Sequence, residues 1–466
     1  MRRTVVLYNP RCTFYTMPLA LIALASRLDA AEYDVRVVDG RLETDAVAGV
    51  LAHADDAVCL GITVLTGAPI HDALEITRAV KLRRPDLPVV WGGWHPSLFP
   101  EQTLAEAGID ALVVGQGEDA FAEIVARLAA GRTLEGVAGC HALGAPPGPF
   151  RPARDVNELP SHRYDLIPVE RYFALKGQRQ LDYVSSQGCR FRCAFCADPF
   201  VYRRGWSGLA PDRVGEELES LWREHRVSDV NFQDETYFTT SKRVAAIAEE
   251  FLRRGVDFTW TATMRADQGA RLDEEVLALC RRSGLRRVMI GVESGSPEML
   301  MRISKDATVE QVFESAAKCR RHGIAVLFNL IVGFPGETPE TLAATLDVGK
   351  RLRALSPDFE LAIFYYRPYP GNPLADLHRA EGHPFPETLA EWASFDYVGT
   401  PSPWLDRERR RLVEGFRFYQ RIGWARPTPL RAPVQALARW RCRRDAYALP
   451  VEQRVIEWLR PPAAVS

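Results

Sequence analysis

Three closely spaced cysteines constrain this chain more than any other feature. Cys189, Cys193 and Cys196 have the spacing CxxxCxxC, with Phe195 directly before the last cysteine, and they follow the strand-like run 182–185. Three thiolates on one tight loop suit a cubane iron-sulfur cluster whose fourth iron is left for a non-protein ligand. A disulfide would leave one cysteine over, and a structural zinc site normally takes four protein ligands, whereas no histidine lies near this loop.

The spacing and the Phe195-Cys196 pair resemble the radical S-adenosylmethionine (SAM) superfamily. The resemblance implies a [4Fe-4S] cluster at Cys189, Cys193 and Cys196 whose open iron chelates SAM. One electron from the cluster then splits SAM into methionine and a 5′-deoxyadenosyl radical, and the protein orients and shields this chemistry. It also implies a small-molecule substrate and an external electron donor, which is a flavodoxin, a ferredoxin or an NADPH-dependent reductase.

Composition sets the frame for that site. The 466 residues are enough for two or three domains, and a formal net charge of -1 gives no global bias toward nucleic acid or membrane. The other six cysteines sit in no paired spacing, which favours a reducing, cytoplasmic location. No run approaches the roughly eighteen apolar residues of a membrane helix.

The sequence pattern of the amino-terminal part predicts a doubly wound α/β domain. Residues 4–130 alternate short apolar runs, such as Val5-Val6-Leu7 and Val89-Val90-Trp91, with helical patterns. Apolar strands between amphipathic helices indicate a parallel sheet covered on both faces. We expect a Rossmann-like domain over residues 1–143, with any ligand beyond the carboxyl ends of its strands.

Polar and glycine-rich segments follow those strands. The set, above all Gly92-Gly93, His95-Pro96 and the segment 115–118, resembles the cobalamin-binding domains attached to many radical SAM enzymes. Glycines there let the backbone approach the corrin or its nucleotide tail closely. The residues that the resemblance assigns to cobalamin are Thr63, Leu65, Gly92, Gly93, His95, Gly115, Gly117 and Glu118.

One departure from that family concerns the axial ligand of cobalamin. The fold often supplies a histidine from an Asp-x-His-x-x-Gly motif, whereas this chain has Asp39-Gly40-Arg41-Leu42-Glu43 after its second strand. His71 and His95 are the nearby alternatives, and neither sits in that motif. Many members of the family lack the histidine and are thought to hold cobalamin without a protein ligand. The residues leave open bound cobalamin and a domain that keeps the fold without the ligand.

After a proline-rich linker at 144–175, the strand-helix alternation resumes. Counting the strand before the cysteines gives six strand-helix units over 176–372, which resembles the partial (βα)6 barrel of the radical SAM fold. Active residues are expected at the carboxyl ends of its strands. Residues 373–466 have a mostly helical pattern and are expected to form a substrate or lid region.

By resemblance, the barrel strand ends carry SAM contacts. Asp234 and Glu235 occupy the place that contacts the SAM amino group, and Arg265 is the candidate for its carboxylate. Glu293 and Ser294 lie where ribose hydroxyls are held, and a carboxylate accepts such hydrogen bonds. Taken singly, each of these residues also suits a loop carboxylate or a helix cap.

The last two strands add four candidates. Gly333 and Gly336 would let the backbone approach adenine. Tyr365 and Tyr366 end the final strand and are candidate catalytic residues against substrate or corrin. Tyrosines in this position equally suit core packing.

The carboxyl-terminal region is basic. Residues 401–466 hold 14 arginines, no lysine and 6 acidic residues. Arg409-Arg410-Arg411 with Trp424 and Trp440 invites an RNA-binding interpretation. Apolar residues at helical spacing favour a solvated helix face, a lid or a partner surface instead, so no nucleic-acid partner is expected.

Three enzymatic hypotheses follow. The first is cobalamin-dependent C-methylation of an unactivated carbon in a natural-product or lipid pathway. The second keeps both domains but uses the radical for dehydration, as in aminoglycoside diol-dehydratases, or for oxidative ring formation, as in porphyrin cyclases. The third, a tRNA methylthiotransferase, needs a second three-cysteine cluster that the first domain lacks. A redox sensor would leave the SAM-type strand ends unexplained.

Overall fold

A computed structural model describes residues 2–369, 371–395, 402–426 and 429–448. The chain forms two compact units. One comprises Met1–Thr263, Arg282–Gly284 and Pro368–Asp396, and the other comprises Met264–Arg281, Leu285–Arg367 and Tyr397–Ser466. Within the described residues no helix is long and apolar enough to cross a membrane.

The first sheet has the predicted doubly wound topology. Its six strands lie in the order β2-β1-β3-β4-β5-β6, with β1 to β5 parallel and β6 antiparallel at the edge. The strands are β1 (Arg3–Asn9), β2 (Tyr33–Asp39), β3 (Ala57–Thr63), β4 (Val89–Gly92), β5 (Ala111–Val113) and β6 (Cys140–Ala142). The helices are α1 (Leu19–Ser26), α2 (Ala46–Leu51), α3 (Ala68–Arg83), α4 (Trp94–Leu98), α5 (Pro100–Leu104) and α6 (Glu118–Ala129).

Two apolar layers cover this sheet, one on each face. Successive residues of β1 alternate between them, because side chains of a strand point to opposite faces. Val6 and Tyr8 belong to one layer, and Val5 and Leu7 belong to the other. This arrangement leaves the carboxyl edge of the sheet for polar and glycine residues.

The second sheet has the order β14-β13-β12-β11-β10-β7. Its strands are β7 (Gln180–Tyr183), β10 (Asp229–Phe232), β11 (Thr259–Arg265), β12 (Leu285–Glu293), β13 (Ala325–Val332) and β14 (Phe359–Tyr365). Its helices are α7 (Val169–Lys176), α9 (Pro211–His225), α10 (Ser241–Arg254), α11 (Ala266–Arg271), α12 (Glu274–Arg282), α13 (Pro297–Arg302), α14 (Val309–Arg321) and α15 (Pro339–Leu355). The six predicted strand-helix units are therefore confirmed.

A small hairpin stands apart from this sheet. The short strands β8 (Ser186–Gly188) and β9 (Trp206–Gly208) pair antiparallel and enclose helix α8 (Asp198–Val201). The cysteine loop therefore leaves the hairpin strand β8 and not, as the sequence suggested, the first barrel strand directly.

Beyond β14 the described residues form helices joined by loops, as predicted. The helices are α16 (Pro373–Ala380), α17 (Leu389–Ala393), α18 (Arg407–Gly423) and α19 (Ala432–Arg444). The stretches 396–401, 427–428 and 449–466 of the predicted carboxyl-terminal region, including part of its arginine-rich sequence, lie outside the described residues. Leu389 and Trp392 join the core of the first sheet, so the predicted region 373–466 is divided between the two units. Its expected substrate or lid role stays a prediction.

Candidate active site

The three candidate cluster thiols lie on one loop, at Cys189, Cys193 and Cys196. Cys189 and Cys193 are buried, Cys196 is partly exposed, and the Cys196 amide donates a hydrogen bond to the Cys193 carbonyl at 3.2 Å. Burial raises the pKa of the Cys196 thiol, and the charges of Asp198, Cys193 and Cys189 raise it further. The positive irons of a bound cluster would offset this mutual repulsion. Within the described residues no group of three or more His, Cys, Asp or Glu side chains is arranged to hold a metal ion, so the assignment of the three cysteines to a cluster rests on their spacing and stays a prediction.

Asp234 holds the segment that precedes the cysteine loop. Its buried carboxylate accepts hydrogen bonds from the Ser185 amide at 2.7 Å, the Ser185 hydroxyl at 2.7 Å and the Ser186 hydroxyl at 2.5 Å. Ser185 lies between β7 and β8, and Ser186 begins β8. Asp234 therefore positions the strand that leads into the cysteines, and its predicted contact with SAM stays a prediction.

Glu235 is the carboxylate that faces the cysteine loop. Its Oε2 accepts the Gly188 amide at 3.1 Å, one residue before Cys189. Burial raises the pKa of Glu235 to about 8, and the nearby charges of Asp198 and Asp234 add to the shift. An ammonium group would hold such a carboxylate ionised. Glu235 therefore has the chemistry expected for the SAM amino group.

Gln187 links the hairpin to the first sheet. Its Nε2 donates to Glu118 Oε1 at 2.9 Å, and its Oε1 accepts from Gln116 Nε2 at 2.8 Å. Glu118 begins α6, and burial raises its pKa. Gln187 stands two residues before Cys189, so the cysteine loop is hydrogen-bonded to the predicted cobalamin segment 115–118. Sequence reasoning missed Gln187, because one glutamine before Gly-Cys carries no signal.

The loops that follow β3 and β4 pack closely together, and a glycine allows this close approach. Gly93 has φ +96°, and a Cβ there would lie 2.9 Å from the Val64 amide nitrogen. The Val64 amide donates to the Gly92 carbonyl at 2.8 Å, which fixes the loop after Thr63. This geometry holds Leu65 outward, with 46% of its surface exposed. An apolar side chain presented at the strand ends suits the flat face of a corrin, so these residues fit cobalamin.

Gly115 and Gly117 flank Gln116 at the end of β5. Gly115 has φ +80°, and its amide donates to the Ser97 hydroxyl at 3.0 Å. Gly117 packs against Leu24, which a Cβ would approach to 3.1 Å. The positive φ of Gly115 favours glycine, whereas a side chain at Gly117 would only crowd Leu24. Contact of either glycine with cobalamin stays a prediction.

His95 is buried in an aromatic cluster. Its ring centroid lies 5.7 Å from that of Trp392 and 5.9 Å from that of Phe99, and its Nδ1 is 3.1 Å from the Thr66 hydroxyl. Nε2 has no hydrogen-bond partner among the described residues. Burial lowers the pKa of His95 to about 4, so the ring is neutral. The surroundings are those of a core residue, and a cobalamin contact through this ring stays a prediction.

The segment 39–43, which stands in place of the axial-histidine motif, contains a buried ion pair. Arg41 Nη2 lies 2.6 Å from Asp39 Oδ2, and both side chains are almost completely buried. Asp39 also accepts from Tyr172 at 2.6 Å and from Asn9 at 3.0 Å. Asp39 and Arg41 therefore have structural partners in place of an axial ligand.

In the second unit, Arg265 and Glu293 are both engaged through Lys305. Arg265 Nε donates to Asp267 Oδ1 at 2.8 Å, and its Nη2 donates to the Lys305 carbonyl. Lys305 Nζ lies 2.6 Å from Glu293 Oε1. Glu293 has φ +63°, a conformation that costs a non-glycine residue energy and often marks a functional site. Lys305 follows Glu293 by twelve residues, and no pattern in the sequence signals this pair.

Ser294 is turned into the protein. Its buried hydroxyl lies 3.0 Å from the Thr345 hydroxyl and accepts the Ser296 amide at 3.1 Å. These contacts organise the start of α13. The hydroxyl is therefore used within the fold, and its predicted ribose contact stays a prediction.

The predicted adenine loop is held at both ends. The Gly333 amide donates to Glu337 Oε2 at 2.7 Å, and its carbonyl accepts from the Ser402 hydroxyl at 2.6 Å. Gly333 and Gly336 have φ +79° and +80°, which glycine adopts without strain. Burial raises the pKa of Glu337 to about 7.

The two candidate tyrosines differ. The Tyr365 hydroxyl donates to Glu414 on α18, so Tyr365 joins the barrel end to a packed helix. Tyr366 lies between Phe334 and Trp404, with ring centroids 5.0 and 5.4 Å away, and its buried hydroxyl has no partner among the described residues. Their catalytic roles stay predictions.

Asn329 on β13 also has a buried oxygen without a partner in the described chain, and sequence reasoning missed it within an apolar run.

Comparison with known proteins identifies the family. Residues 183–348 match the radical SAM superfamily, and residues 10–125 match the B12 binding domain. Over 367 residues the chain is 33% identical to an uncharacterized methyltransferase of Pyrococcus horikoshii, with 77% of each chain covered. The chain belongs to the radical SAM superfamily. Its B12-binding domain confirms the predicted cobalamin-binding group of that superfamily.

Two further relatives have named activities. The anaerobic magnesium-protoporphyrin IX monomethyl ester cyclase of Rubrivivax gelatinosus is 29% identical over 324 residues, which cover 68% of this chain and 57% of the cyclase. The hopanoid C-3 methylase of Methylococcus capsulatus is 27% identical over 325 residues, which cover 67% of this chain and 60% of the methylase.

Solved structures share the fold. TsrM from Kitasatospora setae, with tryptophan substrate and a SAM analog bound, has a TM-score of 0.72 at 19% identity and covers 98% of this chain and 100% of its own. OxsB, with aqua-cobalamin and SAM bound, has a TM-score of 0.74 at 18% identity and covers 98% of this chain and 74% of its own. The predicted three-part architecture is confirmed.

The family sets the cofactors of this radical SAM enzyme. Its radical SAM domain implies SAM and a [4Fe-4S] cluster, and its B12-binding domain implies cobalamin. Cys189, Cys193 and Cys196 have the donor chemistry for the cluster, and the strand ends around Leu65 suit the corrin. The chain is thus an enzyme of the cobalamin-dependent radical SAM methyltransferase family.

Proposed function

We propose that the chain methylates an unactivated carbon of a small molecule in a natural-product or lipid pathway. The observation that carries this proposal is the Gln187 link, because it ties the cysteine loop to the predicted cobalamin segment. Methyl delivery needs both cofactors at one substrate. The methyltransferase of Pyrococcus horikoshii and the hopanoid C-3 methylase of Methylococcus capsulatus support the reaction class.

When bound, the cluster with SAM supplies a carbon radical and cobalamin supplies the methyl group. The chain's own residues orient these groups and exclude water. Asp234 holds the cysteine strand, and Glu235 receives the SAM ammonium. Leu65 provides an apolar face for the corrin. An external one-electron donor completes the proposal.

Ring formation without methyl transfer is the second candidate. The magnesium-protoporphyrin cyclase of Rubrivivax gelatinosus supports it through 29% identity over 324 residues. Such a reaction uses the radical and consumes one SAM to give methionine. Methylation also produces S-adenosylhomocysteine, and this product separates the two reactions.

The test uses SAM with a deuterated methyl group. The anaerobically reconstituted protein, loaded with hydroxocobalamin and reduced chemically, is incubated with this SAM and no substrate. We expect the protein-bound corrin to gain the mass of a deuterated methyl group, with one S-adenosylhomocysteine released for each. A corrin that is retained but never labelled would contradict methylation and favour ring formation.

A matched variant connects the result to the structure. Gln187→Ala removes the link and should lower corrin retention, whereas iron content should stay the same because the three cysteines are unchanged. Equal retention of corrin by the variant would remove the structural support for the proposal.

A further inference from the structure

We propose that four exposed arginines around the cysteine loop form the docking surface for an acidic one-electron carrier protein. This arginine collar consists of Arg190, Arg192, Arg203 and Arg204, and all four side chains are exposed. The inference rests on the proposed function, because only a reductive reaction at the cysteines needs such a partner.

The collar lies directly on the segment that holds the cysteines. Arg190 and Arg192 are chain neighbours of Cys189 and Cys193, so their backbones are within about 4 Å of the ligand residues. The Arg204 guanidinium donates to the Arg190 carbonyl at 3.2 Å, which brings it to the same loop. A protein seated on the collar would therefore stand beside the cluster site.

The far side of the collar has an unusual backbone. Arg203 and Arg204 have φ +48° and +61°, and two successive non-glycine residues in this region cost energy. The Arg203 guanidinium lies 3.5 Å from the centroid of the Phe150 ring. The turn thus holds two arginines outward in fixed positions, although a glycine would form it with less strain.

The charge of the collar does not follow from the charge of the chain. From Cys189 to Trp206 the sequence has four arginines and one acidic residue, whereas the whole chain has a formal net charge of -1. The acidic residue, Asp198, contacts Cys196. Asp155, an acidic residue beside the hairpin, accepts the Ser207 hydroxyl at 2.9 Å. A local basic surface on a neutral protein attracts acidic partners and speeds their association.

The chemistry identifies the partner. Each SAM cleaved requires one electron, so the carrier is oxidised by one electron, the cluster is reduced by one, and no bond of the carrier breaks. Electron transfer slows steeply with distance, so the donor has to dock close to the cysteines. An acidic flavodoxin satisfies both the charge and the one-electron chemistry.

The test compares a charge-reversed collar with a matched control. Arg192→Glu/Arg203→Glu reverses two collar charges, and Arg443→Glu/Arg444→Glu reverses two exposed arginines of α19 in the other unit. The dissociation constant of each reconstituted protein for flavodoxin is measured anaerobically at several salt concentrations. Bleaching of the cluster absorbance by reduced flavodoxin and by dithionite gives the reduction rates.

We expect the collar variant to bind flavodoxin about tenfold more weakly, with a shallower salt dependence, because rim charges act mainly through long-range attraction. The control should stay within about twofold of the parent. Dithionite, a small reductant that needs no docking surface, should bleach the cluster equally in all three proteins. The charge-conserving Arg192→Lys/Arg203→Lys should bind like the parent.

Two outcomes would overturn the collar. Unchanged flavodoxin binding in the collar variant is one, and an equal loss in the α19 control, which indicates a general effect of net charge, is the other. If the collar variant binds less iron than the parent, the single variant Arg203→Glu, which lies outside the cysteine motif, replaces it in the binding measurement. This single variant should bind flavodoxin about threefold more weakly than the parent. Failure of the parent to cleave SAM with dithionite would instead refute the proposed function, and flavodoxin binding would still report on the collar.

Discussion

Lys305→Met removes the positive half of an ion pair that the protein buries. Lys305 Nζ lies 2.6 Å from Glu293 Oε1, and the two side chains are only 6% and 8% exposed. At this separation the attraction is about 6 kcal/mol with an effective dielectric of 20, most of which offsets the desolvation of the two charges. Methionine has a similar length but leaves the buried carboxylate without its partner. We therefore expect the free energy of unfolding to fall by about 3–5 kcal/mol.

The assay is anaerobic urea unfolding of the apo-protein, followed by tryptophan fluorescence and far-ultraviolet circular dichroism. If the fluorescence and circular dichroism transitions coincide, unfolding is two-state and a free energy of unfolding can be calculated. The double variant Glu293→Gln/Lys305→Met removes both charges and should recover most of the loss, to within about 1 kcal/mol of the parent. A single variant as stable as the parent, or a double variant as unstable as the single, would refute a buried, mutually compensated pair.

Three further predictions concern the site and its support. Burial raises the pKa of Glu337 from 4.5 to about 7, so the folded state holds an extra proton between these pH values. The contribution of Glu337 to stability is then greatest below pH 4.5 and falls by roughly 3 kcal/mol as the pH rises to about 7. When urea unfolding is compared at pH 5 and pH 8, Glu337→Gln should lack this contribution to the difference. Gln187→Ala should cost about 1–3 kcal/mol through its lost hydrogen bond to Glu118, which a double-mutant cycle with Glu118→Ala measures; additive effects would contradict the contact. Trp392→Ala should cost about 3–5 kcal/mol because the ring is fully buried, and a loss below 1 kcal/mol in urea unfolding would contradict its place in the first core.

The strands were predictable because their apolar runs are continuous. The run Val5-Val6-Leu7 predicted β1, which spans Arg3–Asn9. The hairpin strands β8 and β9 escaped prediction, since three residues are too few to show alternation. The packing of α17 on the first sheet was equally invisible, because Trp392 is separated from its partner Gln102 by 290 residues.

The cysteine spacing predicts the cluster ligands, because ligand geometry fixes that spacing, and this assignment stays a prediction. The contacts that support the loop could not be predicted from the sequence. A position at a strand end does not determine where a side chain points, and Ser294 turns inward to Thr345. Lys305 and Gln187 act through contacts that only the folded chain creates.

The central claim is that Cys189, Cys193 and Cys196 hold a cluster that cleaves SAM. Its most direct test is 5′-deoxyadenosine formation by the anaerobically reconstituted protein with dithionite and SAM, with iron content measured in parallel. Cys193→Ala should lose both the product and most of the iron. Cys319→Ala, which changes a buried cysteine outside the loop, should keep both. Persistence of 5′-deoxyadenosine in Cys193→Ala at the parent's rate would contradict the assignment of the cluster.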